Sequence, residues 1–432
     1  MQNKRLAILT VLLFLVCLTA EAQKLVNSPY ARFNIGNLNR QGSFRSFGMG
    51  GTGIAMRDNN SVYFTNPASY TSIDTTSFVF DFGADMAFYK LNDGTNTFNS
   101  FDINFEHFII AMPIWKKVGM AAGLVPVSDG YYYISQTIEA GDPGYDPISG
   151  EAATVHKGTG GLGKFFWGAG FKITRNFSAG ANMNVLLGEI TRLNQYEFAD
   201  YTSSFNQKAS EKLRIHGVSL DFGIQYHARL KNDYFLIAGF SGNRERKYKS
   251  TIEQLSQRFS VYSSAPYSPD TLSYYKNSSR DSTIFPASYR FGLTFGKKDK
   301  FAFELDYSYT PWSNGMIHGD NTYLADSRSW KIGLEYIPEK YSNTSFLRRV
   351  EYRFGGHYSD NYLILNGIQL KEAGATFGLG IRLRGSRSKA NVYFDYTRRI
   401  GDLDAGLHNE DIFSFGISLN LYDVWFMKRK YE

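Results

Sequence analysis

Residues Phe301–Thr310 read FAFELDYSYT. Phe301, Phe303, Leu305, Tyr307 and Tyr309 occupy every second position, and Ala302, Glu304, Asp306, Ser308 and Thr310 stand between them. Successive side chains of a strand point to opposite faces, so the segment has one apolar, aromatic face and one charged face. A helix would spread both sets around its circumference. The segment also matches the roughly 9–11 residues that a tilted strand needs to cross a hydrocarbon core.

The alternation recurs in both directions from this point. In WKIGLEYI, Trp330, Ile332, Leu334 and Tyr336 oppose Lys331, Gly333 and Glu335; in FGLGIRLR, Phe377, Leu379, Ile381 and Leu383 oppose Gly378, Gly380, Arg382 and Arg384. Phe78, Phe80, Phe82, Ala84, Met86 and Phe88 oppose Val79, Asp81, Gly83, Asp85 and Ala87. About fourteen such segments start near 76, 100, 117, 162, 177, 212, 234, 286, 300, 329, 347, 374, 389 and 411. Lys116-Lys117, Thr174–Asn176, Leu230–Asn232, Lys297–Asp299 and Gly385–Arg387 read as short turns, and Gly141–Lys157, Asn194–Lys212 and Arg244–Ser282 as long polar loops.

A soluble β-sandwich also alternates. Against it stand a charged, glycine-rich polar face, aromatic residues at strand ends, and a length without any linker. The expectation is an all-β, transmembrane antiparallel β-barrel of about 14 strands. Short turns at one end and long loops at the other place both termini in the periplasm. Closure also removes the exposed edges of so large a sheet. The mean hydropathy of −0.31 excludes a bundle of spanning helices, because no run after the N-terminus approaches ~20 apolar residues.

The first residues have a basic start (Lys4, Arg5), an apolar run from Leu6 to Thr19, and an Ala20-Glu21-Ala22 cleavage site. This is a secretory signal peptide, residues 1–22. The single cysteine, Cys17, lies inside it, so the mature chain has no disulfide and no thiolate. Without the signal the formal charge falls from +7 to +6, a surplus too small and too dispersed for nucleic-acid binding. The aromatic last strand, Phe413–Tyr422 followed by Trp425 and Phe426, resembles the signal read by outer-membrane assembly machinery. Residues 425–432 form a short periplasmic tail.

Residues 23–75 precede the first strand and contain Gly48, Gly50 and Gly53 in the spacing G-x-G-x-x-G. A dinucleotide site needs a buried strand before those glycines and a helix after them. Asn39–Ser46 is too polar for the first, and Arg57–Asn60 is a turn sequence. No cofactor is expected. With Asn66-Pro67-Ala68 after it, the glycine run (Gly48, Gly50, Gly51, Gly53) is similar to the N-terminal hatch of the FadL-like outer-membrane transporters of long-chain fatty acids and other hydrophobic compounds. The resemblance implies a fourteen-stranded barrel, residues 76–424, with its lumen plugged by the hatch. It also implies membrane lipid and a hydrophobic small molecule as partners.

In that family a kinked third strand opens the wall sideways. Here Leu124, Pro126, Ser128, Asp129 and Gly130 interrupt the third strand. Proline cannot donate to a ladder, so the residues imply a local break; the resemblance implies a lateral gate there, with a curving bulge as the alternative. The second strand changes phase near Glu106-His107 and the sixth near His216-Gly217, each as a bulge would. The lumen face collects Arg290, Glu304, Asp306, Lys331, Glu335, Glu351, Arg353, His357, Arg382, Arg384 and Asp395. Both signs suggest an ion-pair network that fills the lumen and anchors a plug. None of the seven histidines forms H-x-x-x-H or H-E-x-x-H, and no nucleophile elbow is present, so neither metal nor enzyme is expected. Asp58–Asn60 and Asp142–Asp146 read as solvated turns, with calcium binding as the alternative. The resemblance implies passive uptake of a hydrophobic compound. The alternative is a subunit or carrier of an outer-membrane protein machine of the type IX secretion kind, with other outer-membrane proteins as partners.

Overall fold

A computed structural model describes residues 28–142, 145–148, 150–198, 205–259, 269–383 and 386–424. The expected signal peptide, the expected tail and Arg384 lie outside the described residues. The first wall strands are β1 (Ser77–Asn92), β2 (Thr97–Trp115), β3 (Val118–Asp129, resumed at Tyr132–Ile138), β4 (Ala152–Lys172), β5 (Phe177–Phe198) and β6 (Asn206–Arg229). Next come β7 (Tyr234–Asn243, resumed at Arg246–Phe259) and β8 (Asp270–Phe285, resumed at Ser288–Lys297). The last are β9 (Phe301–Thr310), β10 (Ser327–Tyr336), β11 (Glu351–Leu365), β12 (Ile368–Arg382), β13 (Lys389–Ile400) and β14 (Asn409–Val424). Each wall strand pairs antiparallel with the next, and β14 pairs with β1 from Asn409↔Asn92 to Val424↔Ser77, so fourteen strands close on themselves.

The register lines up the outward side chains into rows. Leu293, Leu305 and Ile332 lie side by side on β8, β9 and β10, flanked by the rows Phe291–Tyr307–Trp330 and Phe295–Phe303–Leu334. All but Tyr307 are 40–52% exposed. A continuous aliphatic band between aromatic rows, facing away from the protein, is the lipid-facing surface of an outer-membrane barrel. The chain is therefore an outer-membrane β-barrel.

Two expectations need correction. The long loops are shorter than their sequences suggest, because β4 begins at Ala152 inside Gly141–Lys157 and β5, β6, β7 and β8 run on as paired strands through much of Asn194–Lys212 and Arg244–Ser282. The sixth strand does not slip either: its register with β5 is unbroken from Phe177↔Tyr226 to Tyr196↔Gln207. Its faces exchange chemistry instead. Leu213 and Ile215 point inward and are buried under the long-loop end, whereas Leu220, Phe222 and Ile224 point outward to lipid. Above the membrane the water is outside and the apolar packing inside, so the alternation keeps its phase and inverts its sign.

The bulge expected in β2 is present. Gly83 pairs with His107 and Ala84 with Phe105, which leaves Glu106 as the extra residue.

Candidate functional site

The N-terminal segment, residues 28–76, lies inside the barrel. Two regions of it set the geometry. Ser28–Ile35 sits at the long-loop end: Tyr30 stacks on His408 at 4.1 Å, and Tyr30 and Ile35 join a buried apolar cluster with Leu162, Leu213, Trp312 and Leu363. Arg399 bridges Glu372 at 2.8 Å and Glu410 at 2.6 Å, and donates to Ser28 at 3.1 Å.

The glycine-rich turn sits deeper, where the backbone of the segment touches the wall. Ser43 caps a single helical turn, Phe44–Phe47. Gly50 follows at φ +70°, and a Cβ there would come within 2.5 Å of the Gly356 carbonyl oxygen. Its N–H donates to Thr376 at 2.8 Å. The wall makes room in kind: a Cβ at Gly355 would lie 2.1 Å from the Gly50 nitrogen. The lumen-facing glycines of the strands are therefore the footprint of the segment's backbone.

The end of the G-x-G-x-x-G run and the two residues after it, Gly53–Ala55, do present successive N–H groups to anions. The anions belong to the wall. Asp306 accepts from Gly53 at 2.8 Å and Ile54 at 3.2 Å, and Glu304 accepts from Ala55 at 3.0 Å. Lys331 donates to the Gly51 carbonyl at 3.3 Å.

Asn66-Pro67-Ala68 starts a short 3₁₀ helix, Pro67–Ser72. Asn66 is its cap, accepting from the Ala68 N–H at 3.2 Å, with Pro67 at the first helical position where no donor is needed. The Asn66 amide also donates to Ile54 at 2.7 Å, and weakly to Ile224 of β6 and Phe240 of β7. One side chain thus ties helix, glycine turn and wall together. Ala68 is fully buried.

The strongest anchoring is a buried charge network. Arg45 of the segment grips Glu335 with both carboxylate oxygens, at 2.8 and 2.6 Å, and also bonds Asp58. Arg353 meets the same Glu335 at 2.8 Å, Glu351 at 2.5 Å and Asn391 at 2.9 Å. Lys389 adds a 2.8 Å contact to Glu351 and Arg382 a 3.6 Å one. Burial pushes the Asp58 carboxyl up, but Lys389 and Arg45 outweigh it and hold it below the ordinary carboxylate range. Asp58 is part of this network, which corrects its reading as a solvated turn. Higher up, Arg40 pairs with Asp395, and His357 lies 3.8 Å from Asp395 and 3.1 Å from Thr397. Arg290 stands apart, with a 3.4 Å hydrogen bond to Ser288 and no ion pair among the described residues.

Of the wall half of this network the sequence named Glu335, Glu351, Arg353, Arg382 and Asp395 but not Lys389; of the segment half, Arg40, Arg45 and Asp58, it assigned none. The signal available was the presence of arginines inside a glycine-rich plug opposite a charged wall. Arg57 was missed too. It reaches Ser178 at 2.8 Å, Gln225 at 2.9 Å and Thr71 at 2.7 Å, and burial lowers its guanidinium to about 10.

On the third strand the expected break is present. Pairing of β2 with β3 runs from Trp115↔Val118 only to Phe108↔Leu124. Beyond that, no β2 residue from Thr97 to His107 pairs with β3 among the described residues. The register to β4 jumps between Pro126 and Ser128, and the strand pauses at Gly130-Tyr131. The segment covers part of the open edge: Asn37↔Asp129 and Leu38↔Ser128 form an antiparallel bridge, Asn39 donates to the Val127 carbonyl at 2.9 Å, and Gln41 to the Pro126 carbonyl at 2.8 Å. Behind this patch lies a cavity of about 340 Å³, whose lining includes Arg40, Asp85, Glu106, Asp306, Lys331 and His357. Its walls mix these charged side chains with apolar ones such as Phe47, Ile54 and Ile412.

Solved structures that share this architecture include a hydrocarbon channel and a toluene transporter. The monoaromatic hydrocarbon channel CymD superposes with a TM-score of 0.58 at 14% identity, covering 90% of this chain and 98% of that one. A FadL homologue of Pseudomonas aeruginosa gives 0.57 at 12%, covering 90% and 100%, and the Pseudomonas putida toluene transporter TodX 0.55 at 14%, covering 91% and 100%. At such identities the likeness is one of fold. It is a FadL-type barrel. No curated protein matches the sequence. One family model matches residues 3–432, described as BamG, so on a match spanning almost its entire length the chain belongs to the BamG family.

Proposed function

We propose that this chain uses the FadL-type channel architecture as a scaffold and works as a subunit of an outer-membrane protein machine, with its lumen held closed. The charged interior carries this reading. The cavity behind β2 and β3 sets Arg40, Asp85, Glu106 and Lys331 among apolar side chains such as Phe47, Ile54 and Ile412, and an apolar solute entering it would bury those polar groups without offering them partners. The segment that would have to move is tied by ion pairs to Glu335, Lys389 and Asp395 of the wall. The opposite end is filled by the apolar cluster around Trp312 and Leu363, where a capture pocket for a hydrophobic solute would lie. The family name points the same way, toward assembly machinery.

The unpaired stretch of β2 and β3 favours a second reading: uptake of a hydrophobic compound, with the N-terminal segment as a hatch and lateral exit beside Pro126. Leu38, 38% exposed, lies at that opening. The sequence favours this transport role; the chemistry of the lumen reverses the order. Extraction of the tagged chain from native outer membranes in mild detergent tests the choice. The machine reading expects a stable large complex, and unchanged accumulation of fatty acid and toluene in cells lacking the chain. A chain that runs alone in detergent, together with uptake that falls on its deletion, would overturn it.

A further inference from the structure

Above the end of β9 the wall does not stop evenly. Pairing between β8 and β9 ends at Tyr289↔Tyr309, whereas β8 continues upward to Asp270, paired only with β7. Residues of the loop after β9 reach Ile284 and Ser282, through the Met316 carbonyl at 2.7 Å and the Gly319 N–H at 2.7 Å. From Ser278 to Asp270 the far edge of β8 has no strand partner among the described residues. At about 3.3 Å per residue this is an open edge roughly 30 Å long.

Both faces of that stretch are in water. Leu272, Tyr274 and Tyr275 are 51%, 57% and 53% exposed. Thr271, Leu272, Tyr274 and Tyr275 are strand-forming residues, the edge contains no proline, and its one lysine, Lys276, is turned to Glu253 at 3.6 Å. Edges are usually blunted by charge, proline or cover. The open edge of β3, by contrast, is covered by the chain's own Asn37-Leu38.

We infer that the Asp270–Ser278 edge is a docking strand for an extended segment of another protein at the cell surface, added to the sheet by backbone pairing. The inference rests on the machine reading and names its surface of contact. A second copy does not fit. Two copies in one membrane are related by an axis normal to it, so both β8 strands descend toward the membrane. At a tilt of 35–45° they cross steeply instead of forming a ladder. The residues paired along this stretch, Thr251–Arg258 and Asp270–Ser278, carry two basic and two acidic side chains, which pair as Arg258 with Asp270 and Lys276 with Glu253, so the edge presents no net charge. The incoming segment therefore offers apolar side chains to the face of Leu272 and Tyr274 and needs no charge of its own. Lipopolysaccharide would leave the backbone edge open.

A photo-reactive phenylalanine analogue placed at Asn277 in the full chain, irradiated in native outer membranes, tests this. N–H groups of an edge strand alternate in direction, so of Ser273→Pro and Tyr274→Pro one removes an outward donor and the other a bond to β7. The expected result is a crosslink to one protein, lost at least tenfold with the outward proline while heat-modifiable barrel migration is unchanged. Amides of the edge should also exchange more slowly in the native complex than in the purified chain. No crosslink, a crosslink to lipopolysaccharide or a second copy, or one indifferent to both prolines overturns the proposal. A large complex that survives the outward proline sinks the edge alone; absence of any complex sinks the machine reading.

Discussion

The N-terminal segment meets two unlike walls. Against β10–β13 it is joined by charge: Arg45 on Glu335, Asp58 near Lys389, Arg40 on Asp395. Against the open edge of β3, at Pro126–Asp129, it is joined only by a two-residue bridge and two further hydrogen bonds, with a cavity behind them, although lower on the same wall Val62, Phe64, Tyr70 and Ile73 pack with Ile109, Ala111, Ala121 and Val125. The contrast assigns stability to one side and freedom to the other. Backbone bonds to an exposed edge have ready substitutes in water or another strand, whereas a buried carboxylate that loses its guanidinium has none. Any motion of the segment should therefore start at β3 and pivot on β10–β13.

The largest way to break this comparison is Arg45→Ala. Removing one partner from a buried ion pair costs about 3–5 kcal/mol, and the lower end applies because Arg353 still pairs with Glu335. Native-state hydrogen exchange should show residues 44–56 opening about 100-fold more often, since ~2.8 kcal/mol corresponds to two decades. The barrel should keep its heat-modifiable migration, because strand pairing is untouched. If exchange across 44–56 stays as slow as before, the charged wall is not the anchor.

Gly50→Ala should come next. At φ +70° an alanine is strained, and its Cβ would press on the carbonyl oxygens of Gly356 and Ile332 at 2.5 and 2.6 Å. Strain of this kind costs on the order of 1–3 kcal/mol. The same exchange measurement reads it, and a neutral result would mean that the turn relaxes without the wall.

Much of this was legible in the sequence. Starts expected at 177, 234 and 389 are those of β5, the first part of β7, and β13, because within the membrane one face must be apolar and the period is strict. The same rule misled above the membrane, where Leu213 and Ile215 turn inward and mimic a slip of register. For the site, strand periodicity sorted Glu304, Asp306, Glu335 and Arg353 onto one face without effort. Arg45 and Asp58 sit in irregular chain with no period to sort them. Their partnership exists only because the barrel brings Glu335 of β10 to Arg45 and Lys389 of β13 to Asp58.

Acid should weaken the charged wall in a defined order. Asp58 is held below the ordinary carboxylate value by Lys389 and Arg45. A depressed carboxylate adds stability that is fully present above its unfolded value, about 3.9, and is lost as pH falls through the folded value. Protection of residues 44–60 should thus be flat from pH 7 to about 5 and fall only below about 4. Asp58→Asn should flatten that acid limb. A fall beginning near pH 6 would point to a histidine instead, with His357 beside Asp395 as the group to replace.

The smallest effect separates the two readings of function. Leu38 and Ser128 are directly opposite across the bridge, and opposed residues of an antiparallel pair have Cα atoms about 4.5–5.5 Å apart, within disulfide reach. Cys17 is the only native cysteine and belongs to the expected signal peptide, so Leu38→Cys/Ser128→Cys should close without competitors. Because the bridge is already formed, oxidation should leave barrel stability unchanged. A machine subunit with a closed lumen should keep its complex and its cellular role when oxidised. A channel that releases its solute beside Pro126 should lose uptake on oxidation and regain it on reduction, because the tether pins the segment to the wall it would have to leave.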